Sequence, residues 1–194
     1  MNKIKTAYEK AMEKVDKLDM AGIDMASVEQ VPKGHAAAAR FLRKEKDFDL
    51  IAELEGHSQE AQVYVKQGME ETFLRNIQLP QSESAMENNE RAIEGLLLIK
   101  KDKNALRGIA SELEHLFRYY EQALEHAYSN VKQSFTARFA QTQRALEKQI
   151  GAKVNIDVER QPGFREELLR VQGQLDAQYE AILTEQKQKI KKIP

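Results

Sequence analysis

The chain has 194 residues, of which 41% are hydrophobic and 31% charged, with a formal net charge of −1. That length suits one domain with a core of its own, and near-neutrality gives no global pull towards nucleic acid or a membrane surface. With no cysteine, disulfides and thiolate zinc sites are excluded, and the scarcity of glycine and proline (9 and 4) argues for long helices rather than a β protein.

Residues 2–20 read as an amphipathic helix, with Ile4, Tyr8, Ala11, Val15 and Leu18 on one stripe and Lys and Glu on the other. There is no apolar signal core, and the longest aliphatic run is Leu96 to Ile99, so neither a secretory signal nor a spanning helix is expected and the cytoplasm is the default setting. Gly22, Pro32 and Gly34 make residues 21–34 an expected loop. Its apolar side chains Ile23, Met25, Val28 and Val31 suggest that it packs down.

Residues 35–55 are predicted helical with a break near Lys46 and Asp47. Ala36 to Ala39 form a small-residue patch that permits close helix approach, and Phe41, Leu42, Phe48, Ile51 and Leu54 are core candidates. Gly56 ends this element. Ser58 caps a helix to about residue 78, with Val65, Met69, Phe73, Leu74 and Ile77 inward, and Pro80 stops it. Ser82 or Ser84 caps the next helix, which ends in Ile93, Leu96, Leu97 and Ile99. Residues 100–103 are polar and suit the turn of an αα-hairpin, although nothing there forbids a continuous helix.

The dominant element is a helix over 104–150, started by Asp102 or Asn104, with Asn104 the candidate N-cap, and stopped by a left-handed Gly151. Leu113, Phe117, Tyr120, Leu124, Tyr128, Val131, Phe135, Phe139, Thr142, Leu146 and Ile150 recur at steps of three and four. The pattern repeats every 11 residues (Leu113, Leu124, Phe135, Leu146), which suits a nearly straight strut rather than a heptad zipper. Such a helix is about 69 Å long, whereas a compact chain of this size is roughly 42 Å across. An elongated molecule is therefore expected.

Val154, Ile156 and Val158 alternate with polar residues in an extended connector, 151–161. They are expected to plug a groove; the sharper alternative is strand pairing with a second subunit. Pro162 opens the last helix, 162–192, with Phe164, Leu168, Val171, Leu175, Tyr179, Ile182 and Ile190 on one stripe and Gly173 as a weak point. It should run antiparallel to the long helix, with the helices of residues 1–100 packing on the first half of that helix in a single all-α domain, 1–194.

Catalytic and ligand motifs are few. A di-metal bundle needs two Glu-x-x-His spacings, and the only one is Glu112 to His115; the residues three before His35, His57 and His126 are Pro32, Leu54 and Ala123. At 100° per residue, neither Glu112 nor His115 shares the Leu113 face, so a solvated pair is the expectation. The sequence has no phosphate loop, dinucleotide fingerprint or His-Glu-x-x-His. No catalytic residue, cofactor or metal is assigned. Residues 1–97 carry 13 basic and 18 acidic groups and residues 98–194 carry 17 and 13, an asymmetry common in solvated helical proteins. Lys187, Lys189, Lys191 and Lys192 meet the negative end of a helix dipole, which is sufficient to account for them; contact of this tail with an anionic surface is the weaker alternative. Nucleic acid is not expected as a partner.

Leu79-Pro80, then Arg91-Ala92-Ile93-Glu94-Gly95-Leu96-Leu97, the Lys-rich opening helix and the ending Tyr179…Lys187…Ile190 resemble a small uncharacterised bacterial family of helical proteins. The resemblance implies an all-helical fold and a bacterial cytoplasmic setting, and it carries over no functional residue.

These readings point to a non-enzymatic scaffold or protein–protein interaction protein that self-associates. An adaptor or chaperone-like binder of a partner helix is the alternative, and a helical-bundle metal enzyme stands third. Candidate contact residues are Tyr119, which lies about 120° from the Leu113 direction, the aromatics Phe135 and Phe139, and Val154, Ile156 and Val158.

Overall fold

The computed structural model describes residues 24–194, so the amphipathic helix expected over 2–20 and the side chain of Ile23 lie outside the described residues. Six α-helices and one 3-10 turn make up the described residues, with no strand among them. Contacts divide the chain into two compact units, one up to Thr72 and one from Phe73 to Pro194.

The first unit begins with α1 (Met25–Leu42), where sequence reasoning expects a loop. Asp24 supplies the start: its carboxylate accepts from the amides of Ala26 (3.0 Å) and Ser27 (3.4 Å) and takes the Tyr64 hydroxyl on its other oxygen, which holds its pKa below the ordinary value. Pro32 sits inside the helix and forfeits one backbone hydrogen bond. Gly34 is there for packing, not for a turn. A Cβ on it would lie 2.0 Å from the Val65 carbonyl oxygen, and one on Gly68 would lie 2.1 Å from that of Val31. The α1 backbone thus touches α3 (Gln59–Asn76) directly, and the buried Ala37 and Ala38 continue that face. Met25 and Val28 do not pack down as expected but are more than half exposed (61% and 58%).

The break after α1 is where sequence places it. Lys44 and Asp47 adopt left-handed backbone (φ 53° and 59°), and Arg40 bridges the corner through Glu45 (3.1 Å) and Glu53 (3.4 Å) while its guanidinium lies over the Phe48 ring. Asp49 then caps the short α2 (Leu50–Glu55), closed by Gly56. Ser58 caps α3, its Oγ accepting from Ala61 at 3.3 Å.

In the second unit Ile77, Leu79 and Pro80 are buried after α3. The buried Asn89 side chain pins this segment, accepting from the Gln78 amide (2.9 Å) and donating to its carbonyl (2.7 Å). Asn89 belongs to α4 (Glu83–Ile99), capped by Ser82. Gly95 makes room for the Phe73 ring, whose nearest carbon would be 2.4 Å from an added Cβ. After Ile99 the chain turns: Lys100 is extended (ψ 146°) and Asp102, rather than Asn104, caps α5 (Lys103–Ile150) through the Ala105 amide at 3.0 Å. The helices are therefore not continuous.

The 48 residues of α5 form an unbroken helix about 72 Å long, and Gly151 stops it in the left-handed conformation (φ 72°). After the turn Val158–Arg160, the last helix is α6 (Phe164–Lys191). Its N-cap is a left-handed Gly163 (φ 85°), so Pro162 precedes the helix instead of opening it. The two helices are antiparallel: Lys189 approaches Glu112, Tyr179 packs on Tyr120, and Phe164 packs on Phe135. The stripes are nearly those expected. On α6, however, Leu183 is buried and Ile182 is 44% exposed. On α5, Ala127 is buried where Tyr128 was expected, Thr142 is exposed, and Ile150 is 62% exposed.

The glycines give opposite predictions. Gly108 and Gly173 sit in helices with nothing within 4 Å of an added Cβ, so alanine at either should stabilise by roughly 0.5–1 kcal/mol. At Gly34 the same substitution meets a backbone oxygen; the loss should exceed that helix gain and come to about 2 kcal/mol or more. Thermal denaturation of the three variants checks both signs.

Candidate functional site

The hairpin of α5 and α6 changes character along its length. Within the first 18 residues of α5, Leu106, Ala110, Leu113, Leu116, Phe117 and Tyr120 are buried; within the following 30 only Ala127, Val131 and Phe135 are. On α6 no residue between Phe164 and Leu183 is fully buried. The far half, here called the arm, rests on one small cluster of Val131, Phe135, Val158 and Phe164, with Phe139, Leu168 and Val171 partly buried against it. Phe164 meets Phe135 edge-on at 5.3 Å between ring centroids and Tyr128 at 6.3 Å. Such edge-to-face pairs add about 0.5–1.5 kcal/mol beyond the area they bury.

Polar contacts lock the arm at three places. The Tyr120 hydroxyl donates to Asp176 at 2.6 Å, and burial followed by that carboxylate pushes the phenol well above its ordinary pKa. Further out, Glu159 accepts from Lys132 (2.5 Å) and from the Tyr128 hydroxyl (2.6 Å). Lys132, then Tyr128, holds Glu159 below the usual carboxylate range, while Glu159 raises the pKa of both partners. At the tip, Gln143 donates to the Val154 carbonyl (2.7 Å) and Glu147 accepts from the Val154 amide (3.3 Å), so the connector folds back along the helix it has just left. A groove of about 360 Å³ lies between connector and helix, with Thr136, Phe139 and Ile156 among its lining residues.

The sequence-predicted contact residues fall into three groups. Phe135 and Val158 are core, at 3% and 8% exposure. Phe139 of α5 and Val154 and Ile156 of the connector are half-buried, and the extended segment holding Val154 and Ile156 pairs with no strand among the described residues. Tyr119 alone is well exposed (62%), its backbone carbonyl accepting from the Tyr179 hydroxyl at 3.2 Å. Glu112 and His115 are exposed, as their angles indicate, and the described residues contain no group of three or more His, Asp or Glu able to hold a metal ion. Of the basic tail, Lys189 pairs with Glu185 (3.2 Å) and Glu112 (3.8 Å), and partial burial lowers the Lys187 pKa. Lys191 and Lys192 are exposed. No described helix is long and apolar enough to cross a membrane.

Sequence reasoning missed two features. One is the Lys132–Glu159–Tyr128 cluster. The other is a second groove, of about 200 Å³, between α4 and the first half of α5. Its floor is Met86, Ile93, Leu97 and Phe117, and Glu90, Glu94 and Glu114 stand around it, exposed. The spacing of Met86, Glu90, Ile93 and Leu97 is a visible helical stripe, but nothing local distinguishes it from ordinary core.

A family model described as "Family of unknown function (DUF6657)" matches residues 51–192, well over half the chain. The chain belongs to this family. The matched span runs from α2 to the end of α6 and holds both grooves and the whole hairpin. No curated protein and no solved structure matches the chain significantly.

Two measurements test the polar locks. Tyr120→Phe removes a hydrogen bond and leaves Asp176 without its phenol, so stability should fall by about 1–2 kcal/mol. In alkaline titration the same variant loses a late-ionising tyrosine. The sign follows from the raised pKa: the contribution is whole below the ordinary tyrosine value and vanishes as pH rises through the folded one. For Glu159 the shift is downward, so its contribution is whole above the ordinary carboxylate value and vanishes as pH falls through the depressed one. Glu159→Gln should speed amide exchange in residues 154–160 at neutral pH, and unchanged protection would show that the cluster does not hold the connector.

Proposed function

We propose that this protein is a non-enzymatic helical interaction protein that associates with a second copy of itself through the arm of the α5–α6 hairpin. The observation that carries this reading is the uneven core of α5, with six buried residues in its first 18 positions and three in its last 30. Among the described residues the two-helix arm offers each helix one neighbour, whereas bundles bury their stripes by giving each helix two. Leu169 at 56% exposure, Ile150 at 62% and the partly buried Phe139, Leu168 and Val171 are the side chains that a second copy would cover.

Charge does not oppose the association. Residues 121–182 hold eight basic and nine acidic groups, so two arms meet with little net repulsion. The proposed setting is the cytoplasm, the default for a sequence with no apolar signal core.

Light scattering coupled to size exclusion at micromolar concentration is expected to give a mass above that of one chain. Leu169→Asp, at an exposed position, should shift the mass towards the monomer while leaving the thermal midpoint within a few degrees. A wild-type chain that stays strictly monomeric overturns the reading.

A further inference from the structure

The tip of the arm and the α4 groove carry opposite charges around apolar surface. Residues 138–153 hold Arg138, Arg144, Lys148 and Lys153 against the single acid Glu147. All four basic residues are exposed, and Ile150, 62% exposed, points about 120° away from Arg138 and Arg144 and about 160° away from Lys148 around the helix. The tip is thus a helix end with the apolar Ile150 on one side and basic side chains on its flanks and back. The groove offers the converse. Over 83–99, α4 holds four acidic residues and one basic, and Glu90, Glu94 and Glu114 ring the apolar floor already described. Glu94 shares its charge with Arg91 at 2.7 Å, which leaves Glu90 and Glu114 as the stronger attractors.

These surfaces cannot meet within one molecule. Phe117 lies in the groove and Ile150 at the tip of the same unbroken helix, and the helical rise separates them by about 50 Å. We infer that the basic tip of one copy docks in the acidic α4 groove of a second copy, with Ile150 entering the apolar floor, Arg144 on its flank reaching towards Glu90 and Glu114, and Lys148 adding to the attraction from the outer side. This rests on the self-association reading and names the pair of surfaces that mediates it. Both surfaces are on every copy, so two antiparallel arms can make the contact twice. In that arrangement the thinly covered middle of each arm lies beside the other. Charge sets orientation and register, and the apolar contacts between supply affinity.

Sedimentation velocity on the full chain tests this with two charge-reversed variants, Arg144→Glu/Lys148→Glu and Glu90→Lys/Glu114→Lys. Each alone should weaken self-association by roughly tenfold or more, since like charges then face each other. Mixed in equal amounts, the two should form a mixed complex close to wild-type affinity, because every tip then meets a groove of opposite sign. Wild-type association should also weaken as salt rises from about 50 mM to about 500 mM, where the Debye length falls to roughly 4 Å. Circular dichroism checks that the variants fold, and the salt series stands without them. If the wild type associates but neither reversal weakens it, or the mixture fails to recover, the tip–groove pairing is wrong while self-association stands. A wild-type monomer removes both.

Discussion

The edge-on contact of Phe135 with Phe164 closes the far half of the hairpin, and the geometry of the arm depends on it. A helix in water gains most of its stability by burying a stripe, and the 48 residues of α5 present a stripe longer than the chain covers evenly. Near its start, α4 and α6 both lie against it. Past Tyr120, among the described residues, α6 and the connector lie against it, and the Phe135–Phe164 pair, with Val131 and Val158, forms the buried cluster there. The connector is part of the same device. Val158 enters the cluster, Glu159 ties down Lys132 and Tyr128, and Val154 is held by Gln143 and Glu147. The aromatic contact places α6, and the polar contacts keep the returning strand of chain against α5.

Much of this architecture is legible in the sequence, because a stripe at steps of three and four has one physical meaning. The long helix, its stop at Gly151, the break around Lys46, the caps at Ser58 and Ser82 and the outward placement of Glu112, His115 and Tyr119 all follow from local chemistry. The failures have local chemistry overruled by packing. Pro32 and Gly34 signal a loop, yet Gly34 is used to bring α1 within backbone contact of Gly68, and Asp24 supplies a cap strong enough to start the helix ahead of the proline. Ile182 and Leu183 both fit a helical period within one residue, and only packing in the folded hairpin shows that Leu183 is the buried one.

The contact residues show the same division. An aromatic stripe is the same pattern whether it faces a core or a partner, so Phe135 and Val158 read as contact candidates and prove to be interior. The Lys132–Glu159 pair joins residues 27 apart across a turn, and the α4 groove exists only once Phe117 is set against Met86 and Ile93. Neither leaves a periodic trace. The charge pattern does: four basic residues at the tip and four acidic residues on α4 can be counted in the sequence, but only the fold shows that Glu90 and Glu94 of the acidic set join Glu114 around a groove and that the basic set ends an arm.

The energetics favour reading those two features together. Burying an exposed aliphatic side chain gains about 1.5–3 kcal/mol, and association costs an estimated 4–15 kcal/mol in lost freedom before any surplus appears. Ile150 in one groove cannot meet that cost. Two tips in two grooves, with Leu169 and the flanking half-buried residues of both arms covered between them, bring several such side chains into one interface. In the proposed self-association the core of a thin arm is completed between copies: the apolar surface left uncovered by α6 would supply the affinity, and the opposed charges of tip and groove would decide which way round the second copy lies.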